Sequence, residues 1–134
     1  PPKRSPRAET GQPVSFKSLV DQAVTKVQPV TLRRALSNLL VNAVRYGERA
    51  DVTLNREGSS IVIHIDDHGP GIPESQIERA KQPFFRLDPS RQRRTGGAGL
   101  GLYIANDLLS RQGGRLDLSN RKEGGLRAAV SLPA

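Results

Sequence analysis

The residues of this sequence best suited to chemistry fall in four short runs. Thr95-Gly96-Gly97-Ala98-Gly99-Leu100-Gly101-Leu102 leads straight into Tyr103 to Leu109, a stretch with helical apolar spacing. Glycine weakens a helix start, so four of them at one entrance ask for a reason. A helix N-terminus offers unpaired N–H groups and a partial positive charge, and glycine leaves no Cβ in the way of a close ligand. Such a run is either a cradle for phosphate or a flexible loop at an ordinary helix boundary. Asn38 and Asn42 stand four apart on one side of an otherwise apolar helical stretch. A carboxamide oxygen is a hard, neutral ligand for Mg²⁺ already carrying phosphate oxygens; the plainer reading has both residues bonding water or backbone. Asp66-Asp67-His68-Gly69-Pro70-Gly71-Ile72 follows a strand-like run. A carboxylate there either accepts a hydrogen bond from the exocyclic amine of a base or simply closes an acidic turn. Pro83-Phe84-Phe85-Arg86 opens a long stretch without periodicity, and its two aromatics are either core plugs or the latch of a lid.

The rest of the composition narrows the chemistry. The chain has 134 residues, enough for one domain that buries its own core. No cysteine and no methionine exclude a disulfide frame, a thiolate metal site and a thiol nucleophile, and two histidines weigh against zinc. No apolar run approaches the ~20 residues that span a bilayer. A net charge of +8 suggests a nucleic-acid-binding module as a reading from another class. Six of those charges lie in two loop-like segments, residues 1–17 and 84–97, each carrying +3 without interleaved aromatics. A surface that stacks bases would want aromatics, so this basicity better suits an anion held near the second segment.

Residues 1–13 are proline-rich, charged and almost free of large apolar groups, which reads as a mobile linker or tail ahead of a domain at 14–134. Val14 to about Val27 is expected to form a short helix, capped by Ser15, with Phe16, Leu19, Val20, Ala23 and Val24 on one face. A stronger helix is expected from about Thr31, its cap, to Tyr46, burying Leu32, Ala35, Leu36, Leu39, Leu40 and Ala43, with Gly47 stopping it. Alternation predicts a hairpin of Asp51–Arg56 and Ile61–Asp67, and a second of Arg115–Ser119 and Leu126–Leu132. Pro73-Glu74-Ser75 can open a short helix to about Arg79, and another helix runs from Gly99 to about Gln112, ended by Gly113-Gly114. Helices interleaved with two hairpins imply a sheet covered on one face, a two-layer α/β sandwich.

In order and spacing, Asn38–Tyr46, Asp67–Gly71, Pro83–Arg86 and Gly97–Leu102 resemble the N, G1, F and G2 boxes of one family. It is the catalytic, ATP-binding domain of bacterial sensor histidine kinases, within the gyrase/Hsp90/histidine-kinase/MutL superfamily, and the resemblance covers about residues 30–133. It implies the Bergerat fold: an α/β (α+β) sandwich whose mixed, mainly antiparallel sheet carries about three helices on one face. It implies ATP and Mg²⁺ as ligands. Asn42 would hold the metal with Asn38 in support, Arg45 would contact phosphate, and Tyr46 would pack on adenine. Asp67 would bond the adenine amino group, with Gly69, Gly71 and Ile72 beside the base. Residues 84–98 would form a lid that starts at Phe84 and Arg86. Thr95, Gly97, Ala98, Gly99, Leu100, Gly101 and Leu102 would wrap the phosphates. A phosphoryl group would pass to a histidine on a separate dimerisation domain of a homodimeric parent, and then to a cognate response regulator. The Arg-Tyr-Gly and Phe-Phe-Arg-Leu-Asp runs are similar to osmosensor-type kinases, whose regulators are OmpR-like. The domain would be cytoplasmic in a bacterial inner-membrane protein, meeting the membrane only through other parts of it, and no nucleic-acid partner is expected.

Position 38 discriminates within that superfamily. Hydrolysing members place Glu there as a base for water, which a carboxamide cannot be. Transfer to histidine is therefore favoured over an ATP-hydrolysing or serine-kinase relative. Three features depart from the family. No acceptor segment of the His-Glu-x-x-Thr-Pro kind is present; His64 alternates with isoleucines in a strand, and His68 lies inside the G1 box. The family carries a further strand and loop, about 20 residues, where this sequence has only Val24–Pro29; either an edge strand is lost or, as we expect, a segment is missing there, visible as a chain break between 24 and 30. Ala80-Lys81 stand where a bulky apolar residue and Phe are usual, which would loosen the lid's anchor.

Overall fold

The structure is a computed structural model that describes residues 14–83 and 101–133. Its central strand, Ser60–Asp67 (β3), turns Ile61, Ile63 and Ile65 to one side, all buried. Branched side chains of this kind fit a pleated, packed surface. It pairs antiparallel with Ala50–Glu57 (β2) on one flank and with Leu126–Pro133 (β5) on the other. Val14–Ser18 (β1) adds to β2 in parallel, and Arg115–Asn120 (β4) adds to β5 antiparallel, so the order is β1-β2-β3-β5-β4. The sheet is thus mixed and mainly antiparallel.

Two α-helices among the described residues lie on the isoleucine side. Pro29–Gly47 (α1) buries Ala35, Leu39 and Ala43, and Gly101–Arg111 (α2) buries Ala105 and Leu109. The two pack on each other as well as on the sheet. Ala35 and Ala105 are fully buried, and such small residues let the helix axes come close. Leu116, Leu118, Val130 and Leu132 complete the core from β4 and β5. Two 3₁₀ turns, Glu74–Gln76 and Glu78–Lys81, follow β3 and bring Ala80 into the same core.

The two hairpins and both main helices lie close to where periodicity places them. The first expected helix does not form. Val14–Ser18 is a strand, and residues 19–28 run on without helix or strand. Five residues of Val-Ser-Phe-Lys-Ser fit either period, and β2 offers them a ladder of backbone partners that a lone helix would lack. Leu19 and Val24, expected together on one helical face, are more than half exposed. No break interrupts residues 24–30: this ten-residue link joins β1 to α1 directly, so the expected gap is absent. Thr25 Oγ1 pins the link by donating to the Pro133 carbonyl. Nor does Thr31 cap α1. The helix starts two residues earlier, at Pro29, whose fixed φ and missing N–H suit a first turn. Gln28 stands at the cap, its carbonyl accepting from Leu32 N at 3.0 Å. Lys81, expected to loosen an anchor, is largely covered, and its amine donates to the Leu116 carbonyl at 3.3 Å.

The outer face of the sheet is polar. Arg127 clasps Asp66 with two hydrogen bonds, Nε to Oδ1 at 2.7 Å and Nη2 to Oδ2 at 2.9 Å. Asp51 accepts from Ser15 Oγ at 2.5 Å, Arg49 Nη2 at 3.0 Å and His68 Nε2 at 2.6 Å. Since a carboxylate only accepts, the His68 ring proton sits on Nε2. Burial pushes the Asp51 carboxyl up, but hydrogen bonds from Ser15, His68 and Arg49 outweigh it and hold the group well below the usual carboxylate range. A carboxyl easier to ionise when folded stabilises the fold above its unfolded value of 3.8, and that support drains as pH falls through and below it. From pH 7 down to pH 3 the gap in melting temperature between the parent chain and Asp51→Asn should therefore narrow without closing, the variant lying lower at neutral pH. Parallel curves would contradict this role.

Candidate functional site

Asp67 ends β3 and keeps its period of two. It falls on the same side as Ile65, towards the helices, while Asp66 turns outward to Arg127. The Asp67 side chain is buried, and its Oδ1 accepts two main-chain hydrogen bonds, from Leu126 N at 2.9 Å and Gly69 N at 3.0 Å. Its carbonyl accepts from Arg121 Nη1 at 2.6 Å. Among the described residues Oδ2 takes no hydrogen bond, so one carboxylate oxygen is fixed and the other is available.

Two glycines make room for this carboxylate. A Cβ on Gly47 would lie 2.3 Å from the Asp67 Cβ, and one on Gly125 would lie 2.0 Å from the Asp67 carbonyl oxygen. Gly47 therefore has a different purpose from the helix-stopping residue expected. It is the last residue of α1, and the left-handed cap conformation falls to Glu48, at φ 67°. His68 N donates to the Gly47 carbonyl at 3.1 Å, so the C-terminus of α1 and the end of β3 are joined by backbone as well as by contact.

Beside Asp67 a small open pocket is lined by Leu39, Asn42 and Ala43 of α1, Ile65 and Asp67 of β3, Leu102 of α2, and Leu126 and Ala128 of β5. Its walls are apolar except for one carboxamide and one carboxylate, the kind of lining that orients an apolar ligand with few polar contacts. The start of α2 abuts the Asn pair. A Cβ built on Gly101 would lie 3.8 Å from the Asn38 carbonyl oxygen and 4.0 Å from Asn42 Oδ1. The Asn42 side chain takes no hydrogen bond among the described residues. The pocket thus offers a cation one hard, neutral oxygen, and no group of three or more His, Cys, Asp or Glu side chains is gathered among the described residues. That donor set fits Mg²⁺ held mostly by phosphate oxygens and water.

Asn42, Asp67 and Leu102, distant in sequence, thus line one pocket, with Asn38 and Gly101 next to it. Gly69 seats on the Tyr46 carbonyl, while Gly71 and Ile72 continue the loop beyond. Tyr46 is half-buried and Arg45 exposed in the last turn of α1. Phe84, Arg86, Thr95, Gly97, Ala98, Gly99 and Leu100, and with them the expected lid and the cradle, lie outside the described residues. Sequence reading passed over Asn120, Arg121 and Gly125, which reach the site from the β4–β5 turn, and gave Gly47 another reason. Their signal in sequence is an Asn-Arg pair and two glycines, which also make an ordinary turn.

The sequence matches the family of histidine kinase-, DNA gyrase B- and HSP90-like ATPases over residues 27–134. The chain belongs to this family. The sensor histidine kinase GtrS of Pseudomonas aeruginosa is 46% identical to the ATPase-family domain over 106 residues, 79% of this chain and 22% of GtrS. The mycobacterial sensor histidine kinase MprB has the same fold, with a TM-score of 0.71 at 27% identity over 95% of this chain and 85% of that one. Full-length ShkA, solved in complex with AMPPNP, gives a TM-score of 0.68 at 26% identity over 96% of this chain and 27% of that one. The ATPase-family domain spans about a quarter of the length of the relatives it matches in sequence. Gly47 offers a direct check on the geometry. Glycine to alanine in a helix ordinarily gains about 1 kcal/mol, whereas overpacking costs about 1–3 kcal/mol. With a Cβ 2.3 Å from Asp67, Gly47→Ala should lower the unfolding free energy in urea; a gain would mean that Asp67 moves aside freely.

Proposed function

We propose that this chain is the catalytic, ATP-binding domain of a sensor histidine kinase, passing the γ-phosphoryl group of ATP to a histidine on a separate dimerisation domain. The observation that carries it is the meeting of an unpartnered carboxamide, Asn42, and a half-free carboxylate, Asp67, in one apolar pocket beside the start of α2. In this reading the base enters between Leu39, Ala43, Ile65 and Ala128, and its amino group donates to Asp67 Oδ2. Gly69, Gly71 and Ile72 run along its edge, and Tyr46 packs against it. The phosphates then extend past Asn42 towards Gly101 and Leu102, with Arg45 at the end of α1. Asn42 holds Mg²⁺, which neutralises phosphate charge when bound. Phe84 and Arg86 open a lid over residues 84–98, and Thr95, Gly97, Ala98, Gly99 and Leu100 close it on the triphosphate.

The domain's work is positioning and the exclusion of water, which suits phosphoryl transfer to an acceptor supplied from outside. Asn38 stands where a hydrolase needs a carboxylate base. A carboxamide takes no proton from water, so transfer is favoured over hydrolysis. The partners are the histidine-bearing domain of a homodimeric parent and a response regulator, of OmpR-like type on the osmosensor-like runs. No helix of the described residues is long and apolar enough to cross a membrane; the reading places the domain in the cytoplasm of a bacterium, below an inner-membrane sensor.

Two variants test the assignments. Asn42→Ala should abolish the Mg²⁺-dependent rise in melting temperature on adding ADP while leaving the ligand-free value unchanged; a preserved rise would remove Asn42 from the metal. At a ligand concentration near 100 times the dissociation constant, the parent chain should gain about 2.7 kcal/mol of stability. Asp67→Asn should weaken ADP by about 10–100-fold, the worth of a hydrogen bond to a charged group. Calorimetry with a base-free triphosphate should show little change, and an equal loss for both ligands would misplace the base.

A further inference from the structure

We propose that the β4–β5 turn is the positioning device of the base pocket, and that Asn120 is the residue that sets it. The inference rests on the adenine reading above. Residues 68–72 leave the sheet after Asp67, so their backbone has lost its strand neighbours and needs other partners. Asn120 supplies them. Its Oδ1 accepts from Ile72 N at 2.9 Å, and its Nδ2 donates to the Ile72 carbonyl and to the Glu74 carboxylate, both at 2.6 Å. One carboxamide thus satisfies both backbone groups of Ile72, as an adjoining strand would.

The other end of the loop is held from the same turn. Arg121 Nη1 donates to the carbonyls of Asp67 at 2.6 Å and Gly124 at 3.2 Å, while Leu126 N fixes Asp67 Oδ1. Residues 120–126 therefore grip the base loop at Asp67 and at Ile72. The spacing between the carboxylate and the backbone at 71–72 is set by a turn of which only Leu126 lines the pocket. The grip has little slack: a Cβ on Gly71 would lie 2.4 Å from Asn120 Oδ1. Asn120 itself is exposed and contributes nothing to the apolar core. Removing its carboxamide should release the loop without opening a cavity, and its effect on a ligand passes through Ile72.

Calorimetry on the full chain with Mg-ADP and with Mg-tripolyphosphate tests this. Asn120→Ala should bind ADP about tenfold more weakly, the worth of one or two lost hydrogen bonds, with tripolyphosphate affinity and melting temperature close to the parent values. Asn120→Asp keeps an acceptor for Ile72 N but sets a carboxylate oxygen against the Ile72 carbonyl and the Glu74 carboxylate, and should be at least as weak for ADP. Adding Glu74→Gln relieves only the second clash and should leave ADP binding weak. ADP bound equally by Asn120→Ala and the parent chain would overturn the inference, as would both ligands weakening in step. Failure of the parent chain itself to bind ADP would overturn the adenine reading, and this inference with it.

Discussion

Burying a carboxylate is costly unless its oxygens find donors, and the fold brings two to Asp67. Leu126 N comes from the start of β5 and Gly69 N from the loop that follows β3, and both reach the same oxygen. For these donors to arrive, the end of α1 must press against β3, and the β4–β5 turn must close over the other side. Gly47 and Gly125 are the two places where any side chain would prevent it. The elements that define the pocket are thus tied to one another through a single acidic side chain. Removing its donors would strand a buried charge, and so the contact is costly to break.

The two faces of the sheet divide the work. Inward, β3 continues an isoleucine row into Asp67, so the hydrophobic core and the pocket are one continuous surface with a polar end. Outward, Asp66 meets Arg127, and Asp51 gathers Ser15, Arg49 and His68. Adjacent residues at the end of β3 and the start of its loop thereby serve opposite ends: Asp66 and His68 close the outer face while Asp67, between them, keeps an oxygen for the pocket. The alternation of a strand is what keeps the two charge networks apart.

The N-terminal edge stands apart from the pocket. Ten residues join β1 to α1, and Phe16, Leu19 and Val24 remain exposed along it. The pocket lies on the other flank of α1, at β3 and β5, and none of its lining comes from residues before Leu39.

Much of this was legible in the chain itself. Alternation placed both hairpins, helical spacing placed α1 and α2, and the order of the Asn, Asp-Gly and glycine runs pointed to one nucleotide-binding family. Each of those signals is local, carried by residues within a few positions of one another. Val14–Ser18 fits a helix as readily as a strand because five residues satisfy either period, and the partner that decides between them, β2, lies 36 residues away. Gly47 was read as a helix stop because its true neighbour, Asp67, is invisible from the helix. Asn120 and Arg121 carry no local signal beyond that of an ordinary turn: their partners are 48 and 54 residues distant. The sequence by itself determined which groups could do chemistry and which elements bear them. Only the tertiary structure decided which oxygen of Asp67 is bound and which is free, because that depends on hydrogen bonds and close contacts between segments that meet only when the sheet closes.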